Sequence, residues 1–139
     1  MNSLKSGFSA IIIGAFAGII IFSLAGGTWS YERKSNNASR VRIDVTPMQL
    51  SSGKSVKFEV RMNTHSVDLS YDMVAAAVLK DDHGRTYQPL RWDGSSAGGH
   101  HRSGVLEFSP LSDGAKAVTL YLKNISGVAE RVFEWKVEP

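Results

Sequence analysis

Two hydrophobic patterns divide the chain. Residues 8–25 read FSAIIIGAFAGIIIFSLA, a stretch without a charge. At 1.5 Å per residue a helix there would rise roughly 27 Å, close to a hydrocarbon core of about 30 Å. From Val41 onward the apolar period changes to two. Val41, Ile43 and Val45 alternate with Arg42 and Asp44; Val56, Phe58, Val60 and Met62 alternate with Lys57, Glu59 and Arg61. Val118, Leu120 and Leu122 repeat the pattern, as do Phe133, Trp135 and Val137. Alternation of this kind marks half-buried strands. Met73 to Leu79 is apolar on both faces, Arg85 to Trp92 pairs with it across Asp82-His83-Gly84, and Gly104 to Phe108 adds a short strand. Seven strands in about 100 residues, with no helical stretch, predict an all-β fold: a seven-stranded immunoglobulin-like sandwich behind an N-terminal apolar helix. The segments are then 1–27, an anchor or signal; 28–40, a polar tether; and 41–139, the sandwich.

Lys5 precedes the apolar run, and Trp29 and Tyr31 follow it where interfacial aromatics belong. Its length favours an uncleaved transmembrane helix holding the chain to the membrane through residues 8–25. Ser23 and Ala25 also fit a signal peptide cut before Gly26, which would release the domain as a secreted protein. Arg33, Lys34, Arg40 and Arg42 outnumber Lys5, so a count of basic residues opposes export. The short N-terminal tail and the β-rich remainder favour it, and the expectation is an extracytoplasmic C-terminal domain, periplasmic or on the cell surface. Lys5-Ser6-Gly7-Phe8-Ser9 before an apolar helix resembles the processing region of type IV pilin-like proteins, with Ile12 where bacterial pilins carry a glutamate. That resemblance implies a structural or assembly subunit of the cell envelope, with an envelope protein as partner. Sixteen Lys and Arg against 13 Asp and Glu leave a net charge of +3, and the basic residues are scattered. No nucleic-acid footprint follows from that. The absence of Cys removes disulfides, thiolate metal sites and thiol nucleophiles.

If successive strands reverse direction, alternate loops share one end of the sandwich. Loops 63–72, 93–101 and 124–130 then lie together, and His65, His100 and His101 meet Asp68 and Asp72 although far apart in sequence. Neutral imidazoles with carboxylates and no thiolate suit Cu or Zn, and Met73 would add a thioether. Trp92 and Asp93, beside the Gly-rich segment 94–99, would wall a ligand-binding pocket. The same parity starts the first strand at this end, so the histidines would face the membrane. Gly-x-Ser-x-Gly and His-Glu-x-x-His are both missing, and no acid–base pair stands out, so a binding module is expected and not an enzyme. Periplasmic metal-carrying proteins with Greek-key sandwiches are similar in size and in exposed histidine content.

Overall fold

The computed structural model describes residues 30–138. Nine strands and one helical turn follow in the order β1 Lys34–Ala38, β2 Val41–Gln49, β3 Val56–Thr64, α1 Met73–Ala76, β4 Ala77–Asp81, β5 Thr86–Tyr87, β6 Arg91–Gly94, β7 His101–Phe108, β8 Ala117–Ile125 and β9 Val128–Lys136. They form two antiparallel sheets, one ordered β1-β2-β3-β7-β6 and the other β5-β4-β8-β9. The all-β expectation holds. Among the described residues no helix is long and apolar enough to cross a membrane, and the apolar run 8–25 lies outside them.

The period of two places the core as expected. Val41, Ile43 and Val45, then Val56, Phe58, Val60 and Met62, face inward and are fully buried. Leu120 and Leu122 from β8, with Phe133 and Trp135 from β9, meet them from the other sheet. Phe58 bridges the sheets, with its ring 5.2 Å from Trp135 and 6.0 Å, edge-on, from Phe108. Each such side chain contributes about 2 kcal/mol by leaving water.

Three segments depart from the sequence reading. Residues 34–38, expected within a polar tether, form β1, which pairs with β2 in the register Lys34↔Val45 to Ala38↔Val41. KSNNA has no apolar alternation because β1 is an edge strand, and its inward Asn36 meets the buried Arg131 at 2.8 Å. The first part of the expected strand 73–79 instead turns once as α1. Asp72 caps it, accepting from the amides of Val74 at 3.0 Å and Ala75 at 3.2 Å. The expected strand 85–92 is two strands in different sheets. Pro89 has no N–H for a ladder, and the chain crosses there from β5 to β6.

The extra strand reverses where the chain enters. β1 runs toward the turn that joins it to β2, so Ser30 to Arg33 lie at the opposite end of the sandwich from residues 39–40. Tyr31 fixes that entrance: its hydroxyl donates to Leu50 O at 2.5 Å and accepts from the amide of Glu138 at 3.2 Å. Ser51 bridges Glu138 beside it. The two ends of the described chain are therefore neighbours at this base.

Candidate functional site

The expected gathering of loops occurs. The amide of Leu69 donates to Gly99 O at 2.9 Å and that of Gly98 to Leu69 O at 2.8 Å, joining loop 65–72 to loop 95–100. The β8–β9 turn joins them through Ser126 N to the Tyr71 hydroxyl at 2.8 Å, and the β1–β2 turn through Ser126 Oγ to Ser39 O at 2.7 Å. This loop end lies opposite the base where the chain enters, so the tether does not arrive beside the histidines.

Two buried arginines lock the end together. Arg131, at 0% exposure, donates to the carbonyls of Ala38, Val41 and Ile125 and to Asn36 Oδ1, at 2.8 to 3.2 Å. Arg102, at 5%, donates to the carbonyls of Leu69 and Tyr71 and lies 5.4 Å from the centre of the Trp92 ring. Burial lowers both guanidinium pKa values from the ordinary value, with Asp72 opposing it at Arg102 and Tyr71 at Arg131. Both arginines were missed in the sequence, although extending the inward parity of Phe133 and Trp135 back two residues reaches Arg131. The same step from Leu106 and Gly104 reaches Arg102.

The predicted site residues separate into two groups. Asp68 accepts from the amide of Gly99 at 2.9 Å, and Asp72 caps α1, so both carboxylates hold loops. Met73 is buried in the core. His100 gives its carbonyl to the amide of Thr64 at 3.0 Å, and its side chain is exposed. Trp92 is half-buried, donates Nε1–H to Ser95 O at 3.0 Å and covers Gly104, where a Cβ would sit 2.6 Å from the ring. Asp93 is exposed on the edge strand β6. Among the described residues no three His, Asp or Glu side chains are grouped to hold a metal ion.

His65 and His101 do come together. They line a surface cleft of about 410 Å³ with Asn37, Arg40, Arg42, Asn63, Thr64 and Ser66. Its floor is one cross-strand row on the outer face of the larger sheet, Asn37↔Arg42↔Asn63↔His101, set by the registers of β1, β2, β3 and β7. His101 Nδ1 lies 2.8 Å from Asn63 Oδ1, a contact that fixes the orientation of the imidazole in the cleft. Arg40 Nη1 reaches Ser66 Oγ at 3.4 Å. Arg42 Nε pairs with Asp44 at 3.0 Å, and Ser35 Oγ donates to the same carboxylate at 2.5 Å.

At the base, Asp81 is buried and accepts from the hydroxyls of Tyr87 (2.8 Å) and Ser112 (2.5 Å) and from the amides of His83 and Arg85 (both 3.0 Å). His83 Nδ1 lies 3.2 Å from the same Ser112 Oγ. The carboxylate thus holds the serine directly and not the imidazole, unlike a relay in which the acid orients the base. Its evident work is to tie turn 81–85 to loop 111–115. No family model, curated protein or solved structure matches the chain.

Proposed function

We propose that the chain is a tethered, extracytoplasmic β-sandwich of immunoglobulin-like type that captures a ligand at its loop end and performs no catalysis. The strand order supports the architecture. Without β1, β2-β3-β7-β6 faces β5-β4-β8-β9, which corresponds to strands ABED against C′CFG. The observation that carries the functional reading is the convergence of His65 and His101 in one cleft, from segments 36 positions apart, at the end away from the chain's entrance. Clustered loops on a rigid sandwich are a common place for binding sites.

A transition metal, Cu or Zn, is a second reading, favoured by the Asn63 contact that orients the His101 ring beside His65. Thermal unfolding of the full chain in detergent, with Cu(II), Zn(II), inorganic phosphate, sulfate and acetate added in turn, tests the module. At least one addition is expected to raise Tm in the native protein and to have no effect after His65→Ala with His101→Ala. A flat response across the panel removes the binding-module reading.

A further inference from the structure

The lining of the cleft carries the inference one step further, and the step rests on the binding-module reading. We infer that the cleft between Arg40, Arg42, His65 and His101 receives an oxyanion group, phosphate or sulfate, presented by a ligand in the surrounding solvent. The lining holds two guanidinium groups, two imidazoles, two amides and two hydroxyls, and no carboxylate. Asp44, next along β2, already accepts from Arg42 and Ser35. Asp68 and Asp72 are committed to backbone amides elsewhere. A cation placed beside His101 meets Arg40, which has no carboxylate partner among the described residues, and Arg42. An anion there meets the guanidinium of Arg40, the Nη1 of Arg42, the side-chain amide of Asn37 and the hydroxyl of Ser66. Charge-assisted bonds to guanidinium groups are the strong ones, and they match the geometry of phosphate.

The backbone at Arg40 is a separate observation pointing the same way. The β1–β2 hairpin turns through Ser39 and Arg40, with φ of 46° and 67°, and the β8–β9 hairpin turns through Ser126 and Gly127, with φ of 52° and 72°. Two-residue turns with both central φ positive favour Asn-Gly or Asp-Gly. The second hairpin has its glycine at the strained position. The first puts an arginine there, and this turn directs its guanidinium over the cleft, where it meets Ser66. Among the described residues Arg40 forms no ion pair. A residue held in the left-handed region without glycine's freedom is where function is sought.

The test titrates inorganic phosphate, then sulfate, into the full chain in detergent and follows side-chain NMR signals of Arg40, Arg42, His65 and His101. Saturable shifts below about 50 mM are expected, since a single oxyanion on an exposed site binds in the millimolar range. Arg40→Gln with His101→Gln is expected to weaken binding about tenfold while Tm holds or rises. Lys57→Gln, which removes one positive charge at the far end of β3, is expected to leave affinity within about twofold. Three results overturn the assignment: no saturation, saturation that both variants weaken equally, or saturation that the double variant leaves intact. Saturation of the same imidazoles by Cu(II) or Zn(II) without a response to phosphate overturns the oxyanion and keeps the binding module. Silence toward all of them removes both.

Discussion

Asp81 is the residue whose charge matters most to the base of the fold. Burial pushes its carboxyl pKa up, but the hydroxyls of Ser112 and Tyr87 and the amides of Arg85 and His83 together outweigh that and hold it below the ordinary carboxylate value. As pH falls the unfolded chain therefore takes up this proton before the folded one does. The stabilisation is complete above the ordinary Asp value of about 4 and is lost as pH drops through the folded value. Asp81→Asn is expected to cost about 2 kcal/mol at neutral pH through weaker hydrogen bonds. It should also reduce the loss of stability between about pH 6 and pH 2, measured by urea unfolding across that range. An unchanged acid limb would assign the effect to another carboxylate. Asp81 directly precedes the turn 82–84 expected from the sequence, which does not show its burial, because its hydrogen-bond partner Ser112 comes from a loop 31 positions away. For a related reason the sequence alone does not show the structural work of Asp68 and Asp72. Asp serves both as a cap and as a ligand, and the structure places their Oδ1 atoms on the amides of Gly99 and of Val74 and Ala75.

The legible elements were those with two faces to distinguish. β3, β8 and β9 bury alternate positions, and β2 does so except that Asp44 is also buried beneath Ser35 and Arg42. β1 has little apolar surface to bury, so nothing in KSNNA signals a strand; its pairing with β2 and the contact of Asn36 with Arg131 make it one. Pro89, which has no N–H to donate, is the sequence signal for the break within 85–92. The β1–β2 turn offers a direct test of strain. Ser39→Asn with Arg40→Gly supplies the residues that positive φ favours and should stabilise the domain by about 1 kcal/mol, or about 4 °C in Tm. The same double variant removes a guanidinium from the cleft, so its affinity for phosphate should fall while its stability rises. Differential scanning calorimetry reads the first effect and the NMR titration the second. Loss of Tm in this variant would show that Arg40 supports the fold more than the turn strains it.

Direction is the property of the whole molecule that the sequence misplaced. Loop parity was sound for the strands that were recognised, and the loops it grouped do meet. One unrecognised strand ahead of them moved the entrance of the chain to the other end. Only residues 26–29 separate the apolar run from Ser30, which lies beside Glu138 at the base. Even fully extended, the link from Ala25 to Ser30 spans about 17 Å. If the apolar run lies in a bilayer, the base sits close to it. The loop end then stands away by about the length of β8, whose nine residues rise roughly 30 Å. A cleft so placed would meet groups in the surrounding space before the headgroups of its own membrane. The chain contains no Cys, so single thiols can report this geometry without a background. Ala97→Cys puts one at the loop end and Ser52→Cys one at the base, both at exposed positions. In intact cells a membrane-impermeant maleimide should label both. A fluorophore at Ala97→Cys should then be quenched by lipid-borne acceptors far less than one at Ser52→Cys, because transfer over such distances falls steeply across roughly 30 Å. Labelling only after lysis would put the domain in the cytoplasm. Equal quenching at both sites would mean that the sandwich lies on its side, and the cleft would then have to be considered with the membrane surface beside it.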